Sequence, residues 1–152
     1  MKLRTLLITL LLVCGLTLSV SADSWSDTGL PGQLPPGWSV QGSQLVNAED
    51  SQVQGVIRFL LLEDLTFSLA DEVEKIIVEN NFDRSEHFSV TYGSTRVEML
   101  DLGGMYFAFA RYNGNVYTIL LSSQAAETLP AHQDTLLTYI FGPTKQYNER
   151  GI

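Results

Sequence analysis

Two histidines are the residues of this 152-residue chain best suited to metal binding or acid–base chemistry. His87 follows Glu86 at the start of an alternating apolar pattern, and His132 lies between Ala131 and Gln133. Zinc sites take three or four ligands, and their motifs place two of those ligands a few residues apart. Neither histidine has such a second ligand nearby. The sequence therefore predicts no metal and no cofactor, with both histidines solvated at the surface.

Nucleophilic catalysis lacks its usual sequence signals. The chain has no Gly-x-Ser-x-Gly elbow, and its one cysteine, Cys14, lies in an apolar stretch near the N-terminus. Ser122-Ser123 has no identifiable base beside it. A glycosidase would need two carboxyl groups facing each other across a cleft, which spacing cannot establish for the adjacent acid pairs of this chain: Glu49-Asp50, Glu63-Asp64 and Asp71-Glu72. We predict no catalytic residue and a non-enzymatic protein. A small hydrolase with a loop-built site, using His132 or Asp134, is an alternative.

The N-terminus has the three parts of a secretory signal peptide. Lys2 and Arg4 give a positive start, residues 6–20 are almost wholly apolar, and small residues lead to Ala22. The apolar stretch is about 15 residues, shorter than the roughly 20 that span a bilayer. We predict that residues 1–22 are removed by cleavage near Ala22, which places the mature chain in the periplasm or outside the cell, with no stable membrane insertion.

The charge of the chain restricts its partners. Asp and Glu number 17 against 9 Lys and Arg, which gives a formal net charge of −8. Loss of Lys2 and Arg4 with the signal peptide would take that charge to −10. Such a surface repels nucleic acid and speeds encounter with basic partners. Simple solubility is the alternative explanation of the same charge.

Glycine and proline content sets the predicted domain boundaries. Residues 23–36 hold five Gly and Pro residues and are predicted to form a flexible leader. A single domain is expected over 37–143, beginning at Gly37-Trp38. Residues 144–152 are polar and are predicted to be a loose tail.

Strand patterns occupy two parts of that domain. A short hairpin is predicted around Gly42-Ser43, followed by an apolar run over 53–63 that fits a strand buried on both faces; a short buried helix would give a similar pattern. Alternating patterns then flank Gly93-Ser94 and Asn113-Gly114. Asn-Gly favours a two-residue hairpin turn because both residues tolerate positive φ. Counting outward from it pairs Tyr112 with Asn115 and predicts two apolar faces, each needing cover.

Two helices complete the predicted elements. Ser68 is expected to cap the first, with Asp71 in its first turn and an apolar stripe at Leu69, Val73, Ile76 and Ile77. The second runs from Thr128 or Leu129 to Phe141, with Pro130 in its first turn and Gly142-Pro143 at its end.

The hairpin and the last helix resemble a known family. Residues 110–120 (ARYNGNVYTIL) and 136–141 (LLTYIF), after a Pro-Gly-Trp entry at 36–38, resemble the PsbP/DcrB-like domains over residues 37–142. The resemblance implies an α+β fold: an antiparallel β-meander sheet flanked by two main α-helices, an α/β/α sandwich. It also implies an accessory or adaptor role, because members of the family are mostly non-enzymatic and share no catalytic residues.

Export, single-domain size, acidity and the lack of a catalytic set favour a protein-binding module of the bacterial periplasm. The most specific hypothesis is an immunity protein that neutralises a basic toxin delivered by neighbouring cells, since acidic surfaces speed such encounters. A DcrB/PsbP-like accessory factor of an envelope assembly or uptake system is the alternative. The residues predicted to contact a partner are those on the acidic side of the first helix and beside the Asn-Gly turn: Glu72, Glu74, Glu79 and Tyr112.

Overall fold

The computed structural model describes residues 24–42, 44–61, 68–82 and 86–147. The predicted signal peptide, the Glu63-Asp64 pair and the last residues of the predicted tail lie outside these ranges. Eight strands fall within them: β1 (Trp38–Gln41), β2 (Gln44–Asn47), β3 (Val53–Leu61), β4 (His87–Tyr92), β5 (Thr95–Asp101), β6 (Met105–Tyr112), β7 (Asn115–Ser123) and β8 (Thr144–Tyr147).

All eight strands form one antiparallel sheet in the order β1-β2-β3-β7-β6-β5-β4-β8. Two meanders, β1–β3 and β4–β7, join where β3 pairs with β7. The segment between β3 and β4 therefore crosses from the middle of the sheet to the far side of the second meander. It contains helix α1 (Leu69–Asn80), and helix α2 (Leu129–Phe141) follows β7.

The predicted hairpin register is confirmed. Tyr112 pairs with Asn115, and the register continues without a shift to Met105 and Ser122. Asn113 and Gly114 both have positive φ, at 52° and 79°. Asparagine and glycine adopt positive φ readily because the left-handed region costs them little energy.

Both predicted helices are confirmed. The Ser68 hydroxyl accepts a hydrogen bond from the backbone N–H of Asp71 at 3.1 Å, so one of the free donors at the start of α1 has a partner. α1 ends at Asn80, and the next residue, Asn81, turns the chain with a φ of 56°. α2 carries Pro130 at its start and ends before Gly142.

Each face of the sheet packs under one helix. On the first face, which we call the α2 face, alternate residues of the central strands pack with Leu129, Leu136, Leu137 and Ile140. On the opposite α1 face, Val73, Ile76 and Ile77 pack on buried residues of β5 to β7: Leu100, Met105, Phe107, Phe109 and Leu120. The α+β fold with an antiparallel sheet between two helices is therefore confirmed. No helix in the described ranges is both long and apolar enough to cross a bilayer.

The N-terminal segment differs from its prediction. Residues 24–36, which we call the arm, lie on the α2 face and contain a short 3-10 helix, Trp25–Thr28. Thr28 and Leu30 are buried, and the Thr28 carbonyl accepts a 2.6 Å hydrogen bond from the hydroxyl of Tyr117. Its prolines and glycines predicted a flexible leader outside the domain. Instead, Gly32 lets the arm pack closely against α2, since a Cβ at this position would collide with backbone atoms of that helix.

The C-terminal end also differs from its prediction. Residues 144–147 were expected in a loose tail, but they form β8 and pair with β4. Just before β8, the Pro143 carbonyl accepts a 2.9 Å hydrogen bond from the backbone N–H of Gly93. Gly93 has a φ of 60°, and a Cβ there would collide with the carbonyl oxygen of Phe141. The domain thus extends beyond the predicted boundaries at both ends.

Candidate functional site

A group of polar side chains with buried members lies on the α1 face, between α1 and the β4–β5 hairpin. We call it the His87 cluster, and it consists of Glu74, His87, Ser89, Arg96 and Glu98. Strand alternation places His87 and Ser89 on one face of β4. The turn at 93–94 sets a register in which Ser89 faces Glu98 and Thr91 faces Arg96 across the two strands. α1 supplies Glu74 from above.

Glu98 is the acceptor at the centre of the cluster, and its side chain is only 2% exposed. The Ser89 hydroxyl lies 2.6 Å and 2.9 Å from its two oxygens and donates to the carboxylate. Arg96 Nε donates to Glu98 Oε2 at 3.2 Å, and its Nη2 donates to Ser89 Oγ at 3.0 Å. These donors offset the cost of burying the charged carboxylate.

His87 bridges the helix and the strand. Its Nδ1 lies 2.9 Å from Glu74 Oε1, and its Nε2 lies 3.3 Å from Glu98 Oε1. The first contact is a hydrogen bond, whereas the second lacks hydrogen-bond alignment and acts as a close ion pair. The side chain is only 10% exposed, so these contacts are poorly screened by water.

The two carboxylates determine the charge state of His87. Glu98, followed by Glu74, raises the pKa of His87 above its ordinary value of 6.5, although burial acts in the opposite direction. Burial raises the pKa of Glu98, but His87, Ser89 and Arg96 outweigh it and hold that pKa below its ordinary 4.5. Both shifts favour an imidazolium between two carboxylates.

This arrangement does not match a catalytic set. A serine nucleophile is activated when its hydroxyl donates to a histidine nitrogen, yet Ser89 donates to Glu98. A histidine base needs a free ring nitrogen, and both nitrogens of His87 face carboxylates. The two carboxylates also lie on opposite sides of the ring, so they cannot converge with it on one ion. Within the described ranges no group of three His, Cys, Asp or Glu side chains is arranged to hold a metal.

Sequence reasoning missed this cluster and was wrong about His87, which it placed in solvent. The available signal was the turn at 93–94: counting outward from it pairs Ser89 with Glu98 and puts His87 on the same face. The contribution of Glu74 was not accessible in this way, because it lies 13 residues before His87 and meets it only after α1 crosses the sheet.

A second histidine–carboxylate pair lies at the other side of the molecule. His132 Nε2, in the first turns of α2, is 3.2 Å from Asp50 Oδ2. The His132 ring also makes an edge contact with Trp38, with ring centroids 5.8 Å apart. Both side chains are partly exposed, at 25% and 33%. Asp134, which the hydrolase alternative would use with His132, instead accepts a 2.7 Å hydrogen bond from the hydroxyl of Tyr92.

The remaining serines and acids singled out from the sequence do not add a site. Ser123 is buried, and its hydroxyl oxygen accepts a hydrogen bond from the backbone N–H of Ala125 at 3.0 Å. The Asp71 backbone belongs to the cap of α1. Gln133 is fully buried in α2; its Nε2 donates to the carbonyls of Tyr106 and Ile119, which joins α2 to the sheet.

The predicted contact residues of α1 do not share one surface. At 100° per residue, Glu72 and Glu79 lie on one flank of the helix and Glu74 on the other. Glu79 is exposed and Glu72 partly exposed. Glu74 points to His87 and keeps 37% of its side chain exposed.

Tyr112 lies beside the Asn-Gly turn as predicted, but its ring is partly buried. It packs on the α2 core and contacts Phe141, with ring centroids 6.2 Å apart. Part of its apolar surface is therefore covered, so Tyr112 offers a partner less area than its position in the turn suggests. Its role as a contact residue stays a prediction.

No protein-family model matches this chain, and no curated protein matches it either.

Proposed function

We propose that this chain is an exported, non-enzymatic protein-binding module of the bacterial periplasm, and that its most specific role is to neutralise a basic toxin delivered by neighbouring cells. The observation that carries the proposal is the closed geometry of the His87 cluster. The cluster contains the residue types of a catalytic site, but its imidazole and its hydroxyl both contact carboxylates of the same domain. It is therefore suited to holding the domain together.

The outer surface is then the part of the molecule that other molecules meet. Acidic side chains predominate on it, and exposed acids lie on both helical layers: Asp71 and Glu79 in α1, and Glu127 before α2. A strongly acidic surface raises the rate at which a basic partner docks and disfavours acidic partners. An inhibitor of a basic toxin gains from that rate, because it must bind before the toxin reaches its target.

Survival in co-culture tests the proposal. A strain that lacks this gene is grown with its parent strain, and its survival is compared with that of the same strain carrying the gene on a plasmid. We expect survival to fall in the deletion strain and to return with the gene. Co-purification of the protein with the product of a neighbouring gene would identify the toxin. Equal survival of the deletion strain and the parent would contradict the proposal.

Charge reversal locates the contact surface. Glu72→Lys with Glu79→Lys reverses two charges on one flank of α1, whereas Glu49→Lys with Glu127→Lys makes the same change in net charge at exposed positions elsewhere. We expect the first pair to abolish rescue and the second to retain it. If both pairs weaken rescue equally, overall charge matters and the α1 flank is not the contact surface.

A second role is supported by the layering of the fold. An antiparallel sheet between two helices is the architecture that the PsbP/DcrB-like resemblance implies, and it would suit an accessory factor of an envelope assembly or uptake system. A growth or uptake defect of the deletion strain in monoculture would favour this role. Loss of survival only in the presence of sister cells would favour the immunity role.

A further inference from the structure

We infer that His87 is a pH-dependent latch, which holds α1 on the sheet in mildly acidic conditions and weakens as the pH rises. By latch we mean the bridge from Glu74 on α1, through the imidazolium ring, to Glu98 on β5. The inference concerns the conformation of the domain and does not depend on the proposed function.

The geometry makes the bridge depend on two protons. An imidazolium ring has two N–H donors, one on each nitrogen, and here each nitrogen faces a different carboxylate. A neutral ring keeps one N–H. It then donates to one carboxylate and turns a lone pair toward the other, so loss of a single proton breaks one half of the bridge and replaces an attraction by a repulsion.

The surrounding charges make that loss unfavourable. In the described ranges, the charged groups acting on His87 are Glu74 from α1 and Glu98 from β5, while Arg96 from β5 acts on Glu98. Ser89 adds a neutral hydroxyl from the same strand as His87, and apolar Leu100 lies opposite His87 on β5. When His87 is charged, the cluster contains two cations, His87 and Arg96, and two carboxylates. With His87 neutral, the cluster keeps two carboxylates and one cation, Arg96.

α1 has fewer buried residues than α2, so its attachment to the sheet depends more strongly on the bridge. Its buried contacts are three residues, Val73, Ile76 and Ile77. α2 buries five, including Gln133, whose amide holds two carbonyls of the central strands. Loss of the bridge should therefore change local opening of α1 while α2 stays closed, because elements open separately when their stabilising contacts are separate.

Cysteine labelling can follow each helix by itself. Cys14 is the one thiol of the chain, so Cys14→Ala in the full-length sequence gives a background in which an introduced cysteine is unique. Ile77→Cys reports on α1, and Leu137→Cys is its matched control in α2, since both positions are almost fully buried large aliphatic residues. A thiol-disulfide reagent labels each cysteine only when its helix opens. The ratio of the two rates removes the effect of pH on thiol reactivity.

We expect the ratio of the Ile77→Cys rate to the Leu137→Cys rate to increase at least about threefold between about pH 5.5 and about pH 8.5, since each unit of pKa difference corresponds to a tenfold change in the equilibrium. In His87→Gln and in Glu74→Gln the ratio should be high at low pH and constant. Glu74→Gln alters a side chain at the edge of the cluster and provides the test if His87→Gln does not fold. A ratio independent of pH with His87 present, or an equal increase in both variants, would overturn the inference.

Discussion

The two histidine–carboxylate pairs use the same chemistry in different surroundings. His132 and Asp50 lie 3.2 Å apart with both side chains partly in water. His87 lies between two carboxylates, one of which is 2% exposed, and is itself largely buried. Water screens the first pair and permits either partner to be hydrated separately. In the second, the protein supplies the contacts of the two most buried members, His87 and Glu98, so loss of one of these two leaves the other with much of the cost of burial.

Residue type and distance therefore do not determine what a histidine–carboxylate pair contributes. By distance alone, the two sites would be equivalent. Burial and the further donors separate them, because Ser89 and Arg96 help to hold Glu98 in its charged form, whereas the further donor to the Asp50 side chain in the described contacts is the backbone N–H of Gln52.

Removal of the central carboxylate should have the largest effect. Glu98→Ala leaves His87 and Arg96 without their shared acceptor and is expected to lower the free energy of unfolding by about 3–5 kcal/mol, the cost of breaking a buried ion pair. Urea denaturation measures this change. Glu79→Ala, at an exposed acid of α1, is the control and should change stability by less than about 0.5 kcal/mol. Similar losses in the two variants would mean that Glu98 is not the centre of the cluster.

Replacement of the bridging ring should have a smaller, pH-dependent effect. The folded pKa of His87 is raised above 6.5, so its contribution is complete below 6.5 and is lost as the pH rises through the folded value. The folded pKa of Glu98 is lowered from 4.5, so its contribution is complete above 4.5 and is lost as the pH falls through the folded value. His87→Gln should therefore cost about 1.5–3 kcal/mol in mild acid and progressively less in alkaline solution.

Urea midpoints measured across the pH range check this prediction. The curves for the unmodified chain and for His87→Gln should converge at high pH. A constant difference between them at every pH would show that His87 contributes through packing and not through its charge.

Loss of the serine hydroxyl tests the inner part of the cluster alone. Ser89→Ala removes the donor 2.6 Å from the buried carboxylate and should cost about 1–1.5 kcal/mol. Ser89→Thr keeps the hydroxyl and serves as the control, with urea denaturation again the measurement. An equal loss in both variants would point to strand packing and not to the hydrogen bond.

Disruption of the exposed pair should have the smallest effect. Asp50→Asn removes the charge that faces His132 while keeping the side-chain oxygen that accepts the backbone N–H of Gln52. The expected cost is about 0–1 kcal/mol, and it should shrink as salt is added. A loss as large as that of Glu98→Ala would remove the distinction between the two sites.

Local rules predicted much of this fold. The Asn-Gly turn fixed the register of β6 and β7, and the Ser68 cap with its apolar stripe located α1, because both signals act over a few residues. Those rules did not predict the arm or β8. The arm is rich in glycine and proline, which predicted a flexible segment. Yet Leu30 is buried, and the Thr28 carbonyl accepts a hydrogen bond from the hydroxyl of Tyr117, 89 residues later.

In the His87 cluster, too, local contacts could be predicted from the sequence and long-range contacts could not. The pairing of Ser89 with Glu98 follows from the turn at 93–94, a signal that lies close to both residues in the sequence. Burial of His87 depends on where α1 lies after it crosses the sheet, and sequence patterns carry no direct measure of that position. A histidine beside a glutamate in sequence therefore looked solvated, although its partners in the fold are Glu74 and Glu98.

Titration of the His87 ring by nitrogen and proton NMR follows the charge state of the bridge between Glu74 and Glu98. We expect an imidazolium with protons on both nitrogens in mild acid, with a titration midpoint above the ordinary value of 6.5, and a lower midpoint in Glu98→Gln because the largest stabilising partner has lost its charge. A His87 that titrates at or below 6.5 would show that Glu98 and Glu74 do not hold the ring as an imidazolium.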